Sequence, residues 1–330
     1  MEERMHVETR AVHQPRICVL GGTGFVGRHL VNRLADEGYR IRVITRHRER
    51  HRELLVRPEV DLVEGDINDL DVLRHFFSGC TTVINLAAIL NEKRRGDFQN
   101  VHVVIPGKVI QASRDRGVRR LLHMSALNAD ARADTSRYLH SKGQGENLMR
   151  VANKDLEITI FRPSVIFGPG DHFFNRFALL LGLSPLPFPV VCASARFAPV
   201  YVGDVAQAFV VALKEPQTIG QTYDLCGPRT YTLRELVEFT ANIIDRRRLL
   251  INCGPLLSAI QARLLGLLPG KLLTYDNVLS MKQDNVCSGP FPAVFDLEPA
   301  SIEAKVPMYL GRKDIRGRYY EMRRFAGRDD

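Results

Sequence analysis

Tryptophan is absent from this chain of 330 residues, and no pair among its six cysteines has C-x-x-C spacing. Nor does any stretch reach the roughly 20 uninterrupted apolar residues that a membrane-spanning helix needs. Each absence closes a class. Without the long apolar run the chain can touch a membrane but is not expected to cross one. Without C-x-x-C, or histidines at ligand spacing beside them, Cys18, Cys80, Cys192, Cys226, Cys253 and Cys287 carry no zinc signature. Their wide spacing reads as reduced thiols of a cytosolic protein. No internal repeat or low-complexity tract occurs. Met1 to Pro15 lacks a hydrophobic run and contains Glu2, Glu3 and Glu8, so it reads as a frayed arm rather than a secretory signal or transit peptide.

What is present is a basic globular chain. Its net charge of +9 suits an anionic partner such as a dinucleotide, an acidic membrane surface or nucleic acid, and charge alone does not choose among them. Short β-type runs at Arg16–Leu20, Arg40–Thr45, Asp61–Glu64, Thr82–Leu86, Arg120–Met124 and Glu157–Arg162 alternate with helical stretches. That pattern predicts an α/β fold, a Rossmann-type doubly wound parallel sheet, over 16–168. Val26, Leu30 and Leu34 recur at helical spacing, with Gly38 as a stop. Further helices are expected near Val104–Arg116 and from Tyr138 to Val151. After Gly168 the pattern weakens through Pro185, Pro187 and Pro189, so 169–330 reads as a smaller, mostly helical C-terminal region, with 199–228 returning to the sheet. The stretch Leu249–Leu273 is apolar and helical in character, and Gly311 to Arg328 is basic.

Gly21-Gly22-Thr23-Gly24-Phe25-Val26-Gly27 directly follows a strand and opens a helix. In that context glycines permit a tight turn and close approach of a pyrophosphate, which the helix N-terminus attracts with free N–H groups and partial positive charge. About 20 residues on, an NAD-selective site would carry a carboxylate for the ribose hydroxyls. Arg46 stands there instead, and a guanidinium can grip a 2′-phosphate, so NADP(H) is the expected cofactor with NAD(H) as the lesser fit. Arg46 also opens a run of charges whose plainer alternative is a solvated face. Asp66 and Ile67, after the third strand, suit the adenine; Leu86, Ala87 and Ala88, after the fourth, suit the nicotinamide ribose. Asp66 alternatively caps a helix over Asn68–Leu73.

Tyr138 and Lys142 have Y-x-x-x-K spacing, which puts both on one helical face. A nearby ammonium stabilises tyrosinate, so the phenol can exchange a proton with a carbonyl as hydride moves. Tyr309 and Lys313 share the spacing but follow no sheet strand. Ser125, at the end of the fifth strand, is the candidate to orient a substrate oxygen, with Ala126 beside it. The alternative is that Tyr138 and Lys142 only hold the nicotinamide ribose. Asn100 reads as an N-cap, and His123 and His140 as structural residues.

Further segments, among them Leu127-Asn128-Ala129, Ser136-Arg137-Tyr138-Leu139, Arg162-Pro163-Ser164-Val165, Tyr201-Val202-Gly203-Asp204 and Thr274-Tyr275-Asp276-Asn277-Val278, resemble the nucleotide-binding accessory subunits of respiratory complex I. They also resemble that group's bacterial epimerase/dehydratase-like relatives, within the atypical short-chain dehydrogenase/reductase family. The resemblance implies a Rossmann fold holding NADPH near a membrane and a quinone site, with a structural rather than catalytic role. It places Gly21, Gly24, Gly27, Arg46, Asp66, Tyr138, Lys142 and Pro163 on cofactor-contacting positions. With no transit peptide, the chain reads as a bacterial cytoplasmic protein. Peripheral contact with the inner membrane face through 249–273 is expected, with core packing as the plain alternative. A quinone or similar hydrophobic small molecule is the expected second ligand, and nucleic acid is not expected.

Overall fold

The computed structural model describes residues 16–132, 136–183, 187–246, 248–252 and 275–310. In the first half the elements run β1 (Arg16–Leu20), α1 (Phe25–Asp36), β2 (Arg40–Thr45), α2 (Arg52–Leu55), β3 (Val60–Glu64), α3 (Leu70–Phe77), β4 (Thr82–Asn85) and α4 (Asp97–Gln99). A π-helical stretch over Asn100–Val104 leads directly into α5 (Ile105–Asp115), followed by β5 (Arg120–Met124), α6 (Arg137–Ala152) and β6 (Glu157–Pro163). The strands match the sequence expectations to within a residue at each end. Parallel strands covered on both faces need apolar side chains at nearly every position, and β1, with only Arg16 exposed, is built that way.

The second half contributes β7 (Ile166–Phe167), α7 (Phe174–Leu183), β8 (Phe188–Val190), β9 (Arg196–Phe197), β10 (Val200–Tyr201) and α8 (Val202–Lys214). After these come β11 (Thr222–Leu225), β12 (Tyr231–Thr232), α9 (Leu233–Ile243), β13 (Leu250–Asn252), α10 (Tyr275–Ser280) and α11 (Ile302–Leu310). Seven parallel strands form the main sheet in the order β11-β6-β5-β4-β1-β2-β3. The chain leaves β1 toward β3, then restarts on the other side with β4. A crevice therefore opens beyond the carboxyl ends of β1 and β4, where doubly wound folds bind ligands.

Two cores sandwich the sheet. One face carries Val19, Leu30, Leu34, Val205 and Phe209 from β1, α1 and α8, with Phe161 stacked on Phe209 at 4.1 Å. The other carries Leu20, Val83, Leu73, Val109 and Met149, under α3, α5 and α6. A third core in the second lobe gathers Phe167, Phe174, Leu236 and Val306.

Four expectations change. Cys226 and Cys287 are disulfide-bonded, with Cα atoms 6.0 Å apart, rather than free. They meet because Asn285 is held at the end of the sheet: its side-chain oxygen accepts from Ser164 Oγ and Val165 N, and its N–H donates to Arg196 O. Asp66 does not cap α3. Asp69 does, accepting from Asp71 N, while Asp66 accepts from Asn68 N and Asn68 Nδ2 in a local turn. Asn100 lies inside a helix that starts at Asp97, so it is not a cap either; its amide donates to Asn68 Oδ1 at 2.7 Å. Leu250–Asn252, expected as helix, is a strand parallel to β8. Residues 253–274, the 1–15 arm, Lys313 and the basic tail from Gly311 lie outside the described residues.

Candidate functional site

The turn between β1 and α1 lies at the crevice. Gly21 has φ +77°, and a Cβ there would meet the backbone of Leu86 and Ala87 at about 3 Å, so the turn lies directly against the chain leaving β4. A Cβ on Gly27 would lie 2.2 Å from the Gly21 carbonyl oxygen, which is why the first turn of α1 can sit so close beneath the loop. Gly24 is different. It is exposed, its φ of −74° suits any residue, and a Cβ would meet only the Gly21 oxygen, at 3.2 Å. It is the N-cap of α1 and supplies no capping side chain. The helix N-terminus thus faces open space with Thr23 and Gly24 at the lip, while Phe25 turns edge-on to His29 and Val26 is buried in the core. A diphosphate fits this cradle in charge and in room.

At the carboxyl end of β2, Arg46 follows the strand directly, is exposed, and forms no ion pair among the described residues. It lies near enough to Asp66 to help hold that carboxyl below its usual range, behind the larger contribution of the Asn68 N–H. Ile67 is half-buried against the α3 side of the sheet. Leu86 is buried, Ala87 half-buried with its N–H bonded to Asn85 Oδ1, and Ala88 exposed. Asn85 in turn bonds His123, so both are satisfied structural groups.

Tyr138 and Lys142 lie on α6, over the carboxyl end of β5. Lys142 is buried, and its ammonium donates to the Met124 carbonyl at 2.7 Å. Burial pushes it down to about 8. Tyr138 is pushed up to about 12, by burial first and then by the negative charge of Asp276. The lowering of the phenol by Lys142 expected from the spacing is therefore not found: burial and the Asp276 charge set the direction. As built, Tyr138 is a neutral donor. Its ring stands edge-on to His102 at 5.5 Å and to Phe98 at 5.8 Å.

His102 was not legible as a site residue. It lies in the π-helical stretch, where Nε2 accepts from Ile89 N and Nδ1 faces Ser141 Oγ at 2.8 Å. Ser141 Oγ donates to the Tyr138 carbonyl, which assigns the Nδ1–H tautomer to His102. Burial, and then Lys142, push His102 down to about 2, so it stays neutral. A π turn re-aims one side chain within a helix, and no residue pattern in Asn100–Val104 marks it.

Ser125 is buried, and its hydroxyl makes no hydrogen bond among the described residues. It lies near the Glu146 carboxylate, and no described bond joins it to Tyr138. Glu146, buried, is gripped by Arg162 and Arg150. Ala126 is buried too. Pro163 ends β6, pairs with Leu225 and accepts from Leu127 N. Tyr309, in the second copy of the Tyr–Lys spacing, donates to Asp171 at 2.6 Å and so has a structural partner. A cleft of about 270 Å³ beside α4 is lined by Phe98, Arg137, His140 and Ser141 but by neither Tyr138 nor Lys142.

Residues 17–226 match the NAD dependent epimerase/dehydratase family. The chain is similar to the NADH dehydrogenase [ubiquinone] 1 alpha subcomplex subunit 9, mitochondrial, of Rattus norvegicus. The two are 32% identical over 295 residues, 87% of this chain and 77% of the relative. It is also 32% identical over 240 residues to a ceramide reductase of Caulobacter vibrioides, covering 71% of this chain and 72% of the relative. Among solved structures, UDP-glucose 4-epimerase of Thermotoga maritima with UDP-glucose superposes with TM-score 0.70 at 16% identity, covering 92% of this chain and 99% of that one. A dTDP-glucose 4,6-dehydratase of Bacillus anthracis in complex with NAD gives 0.68 at 18%, over 90% and 95%. At those identities the structures establish the fold and nothing finer.

Proposed function

We propose, since the chain belongs to the NAD-dependent epimerase/dehydratase family, that it is a nucleotide-binding short-chain dehydrogenase-like protein. On this reading it holds NADP(H) and works in a quinone-related setting as a structural or regulatory nucleotide-binding protein or a slow reductase. The observation that carries this reading is the cradle itself: an uncapped α1 N-terminus opening at the Gly21–Gly24 turn against Leu86 and Ala87. Gly21, Thr23, Gly24, Phe25, Val26 and Gly27 would hold the diphosphate, Asp66 and Ile67 the adenine end, and Leu86, Ala87, Ala88, Tyr138, Lys142 and Pro163 the nicotinamide end. Arg46, exposed and without an ion pair among the described residues, favours a 2′-phosphate.

When bound, the nicotinamide supplies or accepts a hydride. The chain's own part is to bury Lys142 and to present a protonated phenol at Tyr138. That phenol can donate to a carbonyl oxygen, the general-acid half of a reduction. The relative named ceramide reductase supports this active reading, with Ser125 beside the pair. The relative named as a subunit of NADH dehydrogenase supports binding without turnover. Exposed Leu183 and Leu249, each 72% accessible, support a greasy ligand or peripheral contact with the inner face of the cytoplasmic membrane near 249–273. Among the described residues no helix is long and apolar enough to cross a membrane.

Calorimetry with both coenzymes tests the binding reading. NADPH is expected to bind and NADH to bind more weakly. Arg46→Ala should cost NADPH about tenfold or more, the worth of a charged hydrogen bond, and leave NADH unchanged. A folded sample that gives no heat with either coenzyme ends the proposal. Turnover of a carbonyl or quinone that disappears in Tyr138→Phe would select the active reading over the structural one.

A further inference from the structure

We propose that Asp276, carried by the second lobe, is a positioning residue for Tyr138: its carboxylate closes the N-terminus of α6 and keeps the phenol in place as a proton donor. The inference rests on the reading of Tyr138 as the donor. Asp276 Oδ1 accepts from Arg137 N at 2.8 Å, and Oδ2 accepts from Tyr138 N at 3.1 Å and from Ser136 Oγ at 3.1 Å. Ser136 completes the end of the helix: its hydroxyl accepts from Leu139 N and its carbonyl from His140 N. The first four amides of α6 therefore all have acceptors, and two of the four depend on a residue nearly half the chain away.

An anion here has two effects. It interacts favourably with the positive end of the α6 dipole, fixing the turn from which Tyr138 projects. It also disfavours a second negative charge nearby, so the phenol keeps its proton. The groups around the phenol leave this role to Asp276. From α4 and the π-helical stretch Tyr138 faces Phe98 and the neutral His102. From its own helix the neighbouring charge is a cation, Lys142, whose ammonium donates to the Met124 carbonyl. From α10 it faces Asp276. The arrangement also ties the second lobe to the proton donor, since any ligand that shifts α10 moves both the cap and the charge.

The test needs no turnover, so it stands whether or not the activity reading survives. A ring-fluorinated tyrosine in place of Tyr138 brings its ionisation into reach, and the fluorine resonance reports its titration in the full chain. Asp276→Asn keeps an acceptor for the helix but removes the charge. It is expected to lower the midpoint by about one pH unit, with Asp276→Glu restoring it and circular dichroism unchanged. An unmoved midpoint in a folded Asp276→Asn protein overturns the proposal. Should that variant not fold, the wild type decides: the Arg137 and Tyr138 amides, held by the Asp276 carboxylate, should exchange with solvent deuterium far more slowly than open amides. If those two amides exchange as fast as open ones in the folded protein, the cap is absent and the proposal fails.

Discussion

Lys142→Met is the most discriminating perturbation, because the lysine is buried at a cost that the structure lets one size. Its ammonium is pushed from an ordinary 10.5 to about 8, by burial above all. At about 1.4 kcal/mol per pH unit that difference is about 3 kcal/mol. Below pH 8 both folded and unfolded chains are protonated, and the full penalty weighs on the folded state. Between 8 and 10.5 the unfolded chain binds the proton and the folded chain does not, so stability rises with pH; above 10.5 the penalty is gone. Methionine carries no such penalty, but it leaves the Met124 carbonyl without its donor, a loss of about 1–3 kcal/mol. At neutral pH the two effects nearly cancel, so a single melting temperature decides nothing. Their pH dependence does. Wild-type stability relative to the variant should climb by about 3 kcal/mol from pH 8 to 10.5, or about 6 °C in Tm at roughly 2 °C per kcal/mol for a chain of this size. Paired thermal melts across that window give the difference directly, since every other titrating group is common to both proteins. A flat difference would mean that Lys142 is not buried as an ammonium, and its assignment to the nicotinamide ribose would go with it.

Gly27→Ala and Gly24→Ala should separate folding from binding: the first forces a Cβ to within 2.2 Å of the Gly21 oxygen and should cost about 1–3 kcal/mol in denaturant melts. Gly24→Ala meets nothing closer than 3.2 Å and should fold normally while losing dinucleotide heat in calorimetry. Cys226→Ser opens a bond that spans 61 positions and should cost about 2–4 kcal/mol, with intact mass before and after reduction checking that the bond formed. Tyr309→Phe removes the hydroxyl held by Asp171 and should cost about 1 kcal/mol with no change in coenzyme affinity, because that hydroxyl is engaged in a structural contact.

The strands and the glycine turn were legible because their causes are local. Ile17 through Leu20 are apolar for burial on both faces, and Gly21, Gly24 and Gly27 recur at the spacing of a turn that must pass under its own helix. The Tyr–Lys pair was legible in position but not in chemistry. Spacing places two side chains on one face, whereas acidity depends on what surrounds them, and here burial and Asp276 hold the proton on the phenol. The cap on α6 shows the limit most clearly. Ser136 announces itself as a cap by residue type, but the partner that completes the turn arrives from 140 positions later through the packing of α10. The disulfide was hidden in the same way: neither cysteine carries a motif, and they meet because Asn285 is fixed beside Ser164.

These long-range anchors fall together in space, and that bears on how the protein works. Asp276 closes α6, Asp284 and Asn285 bind the segments after β5 and β6 through Asn128 and Ser164, and Cys287 is bonded to the residue after β11. A single stretch, 276–287, thus touches the segments leaving the carboxyl ends of β5, β6 and β11. The α1 cradle on the other side of the switch point is self-contained, built from Gly21, Gly27 and the chain after β4. Grip on the dinucleotide and placement of the proton donor are therefore physically separate. A change confined to 276–287 should alter the acidity of Tyr138 while coenzyme affinity holds, and a change in the glycine turn should do the reverse.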